Sequence, residues 1–226
     1  MTEAPTAETG YVERDLTPDE LQLAFHEIEC QTYDERFGLS YDEHTARQAA
    51  REAQRLLGNE VFDRVLDVGC GTGRHLILLR DRLRLGVGVD YERSYIAEAT
   101  RRAGTGHLHF ITGDATAIPM VAAFDVAICL TNTWGTMTDK AVVLREMRRL
   151  ATQPYTRLLS VFSEASVAAR REWYRRLGHA VLEETDEYLL TDGGLRSEHF
   201  SEARLRDLIG DCIIRPVTDI ARAVTF

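Results

Sequence analysis

A short apolar run that breaks into alternating glycines is the stretch most suited to bind a small ligand: VLDVGCGTGRH, residues 65–75. Its first part predicts a buried strand, and the three glycines predict a tight turn of the kind that lies beneath a nucleotide-like ligand. A Walker loop is excluded, because no GKS or GKT follows. The dinucleotide fingerprint GxGxxG also fits poorly, because Arg74 stands at the position of its third glycine.

Three aspartates stand at or near the ends of three successive predicted strands. Asp67 lies just before the glycine turn, Asp90 ends LGVGVD, and Asp114 lies in ITGDATAIP. Ligands bind at the carboxyl ends of strands in such sheets. A carboxylate at position 67 would repel a pyrophosphate but could accept hydrogen bonds from a cationic amino group. The structural alternatives are a helix cap at Asp90 and a loop turn at Asp114.

With these motifs in this order, the sequence resembles the class I S-adenosylmethionine-dependent methyltransferases over about residues 61–162, and more loosely in its last two strands. The resemblance implies that the glycine loop passes under the methionine part of the cofactor. It also implies that Asp90 accepts both ribose hydroxyls, that Asp114 receives the adenine amino group and that Ala115 offers its N–H to the ring. The implied S-adenosylmethionine-binding residues are Asp67, Gly69, Cys70, Gly71, Gly73, Asp90, Tyr91, Asp114, Ala115 and Leu130.

The segment FDVAICLTNTWGT, residues 124–136, resembles the fourth strand of that family and the loop beside the reacting methyl. Its TNTWGT lacks the NPPY-like signature of methylation on adenine or glutamine side chains. It is similar to the Asn-containing loop of small-molecule N-methyltransferases, the glycine N-methyltransferase type among them. We therefore predict a small-molecule acceptor, N-methylation by in-line transfer, and Asn132 and Trp134 in the acceptor pocket. The alternatives are a turn former at Asn132 and a core ring at Trp134.

Two segments are expected to close the acceptor pocket. They are helices within residues 1–60, which carry Tyr33 and Tyr41, and a β-hairpin inserted over residues 179–200. His199 and Glu198 in RSEHF are the candidate acid or base residues, with a surface strand end as the alternative for each. Methyl transfer needs no metal, and no metal-ligand spacing is present. The predicted catalytic residues are Asn132, Trp134 and His199, and the predicted acceptor-binding residues are Tyr33, Tyr41, Asn132, Trp134 and Arg196.

The formal charge of −9 over 226 residues lies entirely in the first sixty, which hold fourteen Asp and Glu against five Arg. Nucleic-acid binding favours a basic surface, so no nucleic-acid partner is expected. An acidic cover favours an amine-bearing or otherwise cationic acceptor, although solvated helix faces explain the same charge. Four scattered cysteines, the lack of a signal peptide and the lack of a long apolar run predict a cytoplasmic protein with no membrane partner. The oligomeric state is left open.

The elements that must position these residues alternate between strand and helix from residue 61 onward. Strands separated by helices of this length pair in parallel through right-handed crossovers. The expected fold is α/β, a doubly wound, mostly parallel seven-stranded Rossmann-like sheet with an antiparallel C-terminal strand pair. Residues 61–226 form the predicted cofactor-binding domain, and residues 1–60 form the helical cover. The rival functions are an NAD-dependent oxidoreductase and a non-catalytic S-adenosylmethionine-binding protein.

Overall fold

A computed structural model of the chain describes residues 57–58, 60–121, 123–154 and 156–226. The predicted helical cover, with Tyr33 and Tyr41, lies outside the described residues. The strands are β1 (Phe62–Val68), β2 (Leu83–Asp90), β3 (Leu108–Thr112), β4 (Val126–Cys129), β5 (Arg157–Phe162), β6 (Val181–Glu184), β7 (Tyr188–Thr191), β8 (Arg196–Glu198), β9 (Ile213–Thr218) and β10 (Ala221–Thr225). The α-helices are α1 (Arg74–Leu79), α2 (Arg93–Ala103), α3 (Thr133–Thr136), α4 (Lys140–Leu150), α5 (Val167–Arg176) and α6 (Glu202–Ile209).

Seven strands form one sheet in the order β3-β2-β1-β4-β5-β10-β9. Strands β1 to β5 pair in parallel, whereas β10 is antiparallel to both of its neighbours, β5 and β9. The predicted seven-stranded, mostly parallel sheet with an antiparallel C-terminal pair is thereby confirmed. The chain winds from β1 toward β3 on one side and from β4 outward on the other. This reversal between β1 and β4 is where doubly wound sheets open a ligand crevice.

The central strands are buried, as their continuous apolar runs predict. Every residue of β5 is buried, and so are the last four of β1. Two separate apolar clusters, one containing Leu66 and the other Val65, draw on neighbouring residues of the same strand. Because successive side chains of a strand point to opposite faces, the sheet is covered on both sides. The sheet is therefore a fixed frame for the loops at its carboxyl edge.

The inserted segment differs from its prediction. Instead of one hairpin, β6, β7 and β8 form a three-stranded antiparallel sheet. The additional turn lies at Thr185, whose hydroxyl accepts hydrogen bonds from the backbone N–H groups of Glu187 and Tyr188. A hydroxyl-stabilised turn carries no glycine or proline signal, which is why only the turn near Gly194 was predicted. Leu189 and Leu195 pack this small sheet in an apolar cluster with α5.

Candidate active site

The glycine loop after β1 folds back against β2. The N–H groups of Gly69 and Cys70 both donate to the carbonyl of Val89, at 2.8 and 3.0 Å. Gly69 and Gly73 have φ values of 70° and 77°, which side chains with a Cβ rarely adopt. A Cβ on Gly73 would also lie 2.7 Å from the ring of Phe110. Backbone conformation and close packing therefore both require glycine in this loop.

Asp90 ties the glycine loop to the end of β2. Its Oδ2 accepts from the N–H of Gly71 at 2.8 Å and its Oδ1 from the N–H of Glu92 at 3.0 Å. Burial raises the pKa of Asp90 to about 6, against the lowering effect of those two hydrogen bonds. Each carboxylate oxygen keeps a second lone pair for a ligand hydroxyl. The side chain that caps α2 is Glu92, which accepts from Ser94, so Asp90 is not the helix cap.

Asp67 is the least satisfied polar group of the site. The residue is 1% exposed, and within the described part of the chain no hydrogen-bond donor reaches either carboxylate oxygen. The nearest cationic candidate is His75, whose Nδ1 lies 3.8 Å from Oδ2. Buried carboxylates are ordinarily hydrogen-bonded, because their desolvation is costly. An ammonium group of a ligand would supply the missing donors, so the residues present fit the methionine part of S-adenosylmethionine.

Two cavities lie along the predicted cofactor site. The larger, of about 290 Å³, is lined by Tyr91, Asp114, Ala115, Thr116, Thr136, Met137, Thr138, Asp139 and Val143. The smaller, of about 30 Å³, is lined by Gly69, Cys70, Gly71, Thr72, Arg74, His75, Leu130, Thr131 and Thr133. The predicted adenine-side residues thus line the first cavity, and the glycine loop and Leu130 line the second. Asp114 is exposed, and its Oδ1 accepts from the N–H of Thr116 at 2.7 Å.

The turn after β4 has an unusual backbone. Thr131 and Asn132 have φ values of 57° and 61°, and they are the only residues with a Cβ and a positive φ among those that the structure describes. Such residues cost about 1–3 kcal/mol each and persist where their surroundings hold them. Here the N–H groups of both residues donate to Ser160 of β5, to its Oγ and its carbonyl respectively. The turn leads directly into α3, a short helix that was predicted as loop.

Asn132 holds this turn through its side chain. Its Oδ1 accepts from the N–H of Phe162 at 2.9 Å. Its Nδ2 donates to Ser197 Oγ at 3.2 Å and to the carbonyl of Glu198 at 3.1 Å. The residue is 3% exposed, and both amide protons are engaged. The catalytic, acceptor-binding role of Asn132 stays a prediction; in this structure its amide links β4, β5 and β8, as expected of the alternative, a turn former.

Trp134 belongs to the core. Its side chain is fully buried and its ring stacks on Phe200 with centroids 5.1 Å apart. The indole Nε1 donates to the carbonyl of Lys140 at 3.3 Å. The acceptor contact of Trp134 stays a prediction; in this structure the ring lies in the apolar cluster, which matches the alternative of a core ring.

His199 is buried at 2% exposure, and its ring is engaged by a buried cation. Arg170 Nη2 lies 2.8 Å from His199 Nδ1, and because a guanidinium only donates, Nδ1 must carry a lone pair. Burial and the Arg170 charge both lower the pKa of His199. The same guanidinium donates to the carbonyl and Oγ of Ser197 at 2.9 Å each. The acid or base role of His199 stays a prediction; in this structure its ring is buried and Nδ1 is engaged by Arg170.

Arg196 lies apart from both cavities. Its side chain is 48% exposed, its guanidinium lies over the ring of Tyr188 at 4.0 Å, and Glu198 Oε1 is 3.5 Å away. The residues that sequence reasoning missed are those that face the glycine loop from α1 and from the turn after β4, chiefly His75, Thr131, Thr133 and Met137. A sequence signal existed for His75 alone, since it follows the last glycine by two residues and so lies in the first turn of the helix.

Comparison with known proteins finds matches over part of the chain. A family model described as a methyltransferase domain matches residues 65–153. The chain is 32% identical over 120 residues to the demethylmenaquinone methyltransferase of Roseiflexus castenholzii (strain DSM 13941 / HLO8), covering 52% of this chain and 48% of that protein. Across the curated relatives that it matches, the chain spans 48% to 60% of their lengths.

Solved structures share the fold at lower identity. The DhpI–SAH complex has a TM-score of 0.67 at 18% identity, covering 91% of this chain and 94% of that one. The 1,6-didemethyltoxoflavin-N1-methyltransferase of Burkholderia thailandensis, with bound 1,6-didemethyltoxoflavin and S-adenosylhomocysteine, has a TM-score of 0.60 at 18% identity, covering 95% and 91%. Among the described residues, no helix combines the length and apolar character needed to span a membrane.

The sheet order, the glycine loop and the matched domain agree with one another. The loop lies at the reversal of strand order, and its conformation requires the glycines that resemble the family's first motif. The family model begins at Val65 in β1 and ends beyond α4, so it contains both cavities. Residues 65–153 thus match a methyltransferase-domain model, and the chain shares its fold with solved structures that include S-adenosylhomocysteine complexes.

Proposed function

We propose that this protein transfers the methyl group of S-adenosylmethionine to a small-molecule acceptor, with nitrogen as the favoured nucleophile. The observation that carries the proposal is Asp67, a buried carboxylate with no donor in the described part of the chain, beside the glycine loop. A dinucleotide would bring a pyrophosphate to this loop, and the negative charge of Asp67 would oppose it. A methionine ammonium group instead gives the carboxylate the partner it lacks.

Each part of the cofactor has a matching group in the chain. Asp67 would bind the ammonium group, and Asp90 would accept hydrogen bonds from the ribose hydroxyls with its remaining lone pairs. Asp114 and the N–H of Ala115 would bind the adenine edge in the 290 Å³ cavity, against Tyr91. When bound, S-adenosylmethionine supplies an activated methyl group for in-line displacement. The contribution of the chain is to align donor and acceptor and to exclude water.

The surroundings of His199 and Asn132 favour an amine acceptor over a hydroxyl acceptor. His199 Nδ1 is engaged by a buried guanidinium and the Asn132 amide is engaged within the chain, so neither side chain offers the acceptor a free base in this structure. A neutral amine attacks through its lone pair and needs no prior deprotonation, whereas a hydroxyl gains from a base. The acidic segment over residues 1–60 supports a cationic or amine-bearing compound. Together with the β6–β8 sheet it would form the cover of the acceptor.

The relatives support a small acceptor without naming it. The Burkholderia thailandensis methyltransferase holds a small molecule and is an N-methyltransferase, and it covers nearly the whole of this chain. The TNTWGT segment, similar to the loop of small-molecule N-methyltransferases, supports the same acceptor class.

Titration calorimetry with S-adenosylmethionine, S-adenosylhomocysteine and NAD⁺ tests the cofactor. We expect binding of the first two and none of NAD⁺; binding of NAD⁺ alone would establish the oxidoreductase alternative. Incubation with methyl-labelled cofactor and a metabolite extract then tests the reaction, with Asp67→Asn as the matched control. A labelled small molecule is expected with the wild-type protein only. Cofactor binding with no labelled product from any extract would favour a non-catalytic binding protein.

A further inference from the structure

His75 lines the smaller cavity, lies between the buried Asp67 and Thr131, and has no role in the family motifs considered above. It is the second residue of α1 and is 6% exposed. Its Nδ1 faces Asp67 Oδ2 at 3.8 Å, and its Nε2 lies 3.4 Å from Thr131 Oγ1 in the strained turn. One ring therefore contacts the carboxylate at the end of β1 and the hydroxyl at the end of β4.

Because of the charges around it, protonation of His75 would disfavour binding of a cationic ligand group beside Asp67. Asp67 faces it from β1, Cys70 and Arg74 line the same cavity, and Asp90 lies close enough for the Asp67 charge to help raise its pKa. Asp67 is thus the carboxylate nearest to the imidazole in the described residues. A protonated imidazole and a ligand ammonium beside one buried carboxylate would leave an excess positive charge in a site of low polarity, which is unfavourable.

We propose that His75 is a positioning residue of the cofactor site that acts through Asp67. When neutral, its ring leaves the carboxylate to the ammonium group of the cofactor; when protonated, it pairs with the carboxylate and excludes that group. Ligand binding and protonation of His75 are then mutually exclusive, and by linkage each weakens the other. This inference rests on the proposed function, because it takes the methionine ammonium as the partner of Asp67.

The test compares two ligands that differ in the amino-acid part. S-Adenosylhomocysteine carries the ammonium group, whereas 5′-methylthioadenosine keeps the nucleoside and lacks it. Affinities are measured by calorimetry at about pH 8.5 and about pH 6, a span in which imidazoles titrate. For the wild-type protein we expect the affinity for S-adenosylhomocysteine to fall more steeply, by up to about tenfold per pH unit beyond the fall for 5′-methylthioadenosine. Titration of Asp90 acts on both ligands and cancels from this comparison.

His75→Gln keeps a neutral polar side chain that cannot be protonated. The additional pH dependence for S-adenosylhomocysteine should disappear in this variant, so that its affinities for the two ligands change in parallel between about pH 8.5 and about pH 6. His109→Gln, at an exposed position of β3, is the matched control and should keep the wild-type pH dependence. Thermal melting checks that each variant is folded.

A second measurement on the wild-type protein needs no variant. In NMR spectra of labelled protein at about pH 6, saturation with S-adenosylhomocysteine should move the His75 ring signals toward those seen at about pH 8.5, and 5′-methylthioadenosine should leave them unchanged. Equal pH dependence for both ligands, or no change in the His75 ring signals, would overturn the inference alone. Failure of the wild-type protein to bind S-adenosylhomocysteine at about pH 8.5 would overturn the proposed function instead.

Discussion

Two polar regions meet at the turn after β4, and they satisfy their buried groups in opposite ways. On the glycine-loop side, the carboxylate of Asp67 has no donor among the described residues, and Asp90 retains lone pairs. On the side of the β6–β8 sheet, Asn132 engages both amide protons and its oxygen, and His199 accepts from Arg170. The first region is incomplete without a ligand, whereas the second is complete within the chain.

Whether a buried polar group is hydrogen-bonded within the chain distinguishes a ligand-binding residue from a structural one. A buried polar group without partners costs stability, and a protein retains it where a ligand supplies the partner. A buried polar group with all of its partners stabilises the fold and gives a ligand nothing to bind. By this criterion Asp67 belongs to the site and Asn132 to the framework, although both are polar residues at strand ends in the crevice.

Asn132→Ala should produce the largest effect, on stability. It leaves the N–H of Phe162 and the carbonyl of Glu198 without their partner and puts alanine at φ 61°. We expect the free energy of unfolding to fall by about 3–5 kcal/mol in urea denaturation. Asn132→Gly is the control: it loses the same hydrogen bonds but relieves the backbone, so about 1 kcal/mol should be regained. A loss below about 1 kcal/mol for alanine would mean that the two regions do not differ as described.

Asp67→Asn should produce the opposite pattern. Removing the charge that binds the cofactor ammonium should weaken binding of S-adenosylhomocysteine by about thirty- to three-hundredfold. The free energy of unfolding should stay level or rise by up to about 1 kcal/mol, because an unpaired buried charge is removed. Calorimetry and urea denaturation on the same preparation measure both quantities. A variant that binds normally but unfolds more easily would place Asp67 in the framework.

Asp90 shares features of both regions, because it accepts two hydrogen bonds within the chain and keeps lone pairs for a ligand. The pH dependence of stability tests its part in the fold. Its pKa is about 6 in the folded protein, against an ordinary value of 3.8. Between these values the folded state retains a proton that the unfolded state has lost, so this group's contribution to stability is lost as pH rises through about 6. Relative to Asp90→Asn, the wild-type protein should therefore lose roughly 1–2 kcal/mol of stability between about pH 5 and about pH 7.5.

The informative quantity is how the difference in the free energy of unfolding between wild type and Asp90→Asn changes with pH, not its size at one pH. The asparagine amide would face one of the two backbone N–H donors and so adds an offset that does not vary with pH. Urea denaturation of both proteins at the two pH values provides the measurement. An invariant difference would mean that Asp90 is not a buried carboxyl with a raised pKa.

Arg196→Ala should have the smallest effect. Its guanidinium lies over Tyr188 at an exposed position, apart from both cavities, and exposed contacts of this kind contribute little. We expect the melting temperature to change by less than about 2 °C and the affinity for S-adenosylhomocysteine to be unchanged. Arg196→Lys serves as the control that keeps the charge. Once an acceptor is known, a raised KM with unchanged cofactor affinity would restore the predicted acceptor role of Arg196.

The sheet and the glycine loop could be predicted from the amino-acid sequence alone, and the motifs in it resemble those of S-adenosylmethionine-dependent methyltransferases. Strand and helix periodicity and the order of the motifs are local features, and parallel pairing then brings Asp67 and Asp90 to one edge without further information. The glycines at 69 and 73 could be predicted because backbone conformation demands them directly. These are properties that neighbouring residues in the chain impose on one another.

Which polar side chains can still bind a ligand could not be predicted from the sequence, because it depends on contacts made in the folded chain. The sequence suggested that Asn132 binds the acceptor, but in the folded chain its amide is hydrogen-bonded to residues 162, 197 and 198. It also suggested that His199 is a base, but the ring is bound by Arg170, which lies 29 positions earlier in the chain. His75 gained its place beside Asp67 and Thr131 in the same way. Whether a polar group is satisfied depends on partners distant in sequence, whose contacts exist only after packing. Periodicity and motifs predict secondary structure and strand order. Contacts in the folded chain determine which polar groups are left without a partner and can bind a ligand.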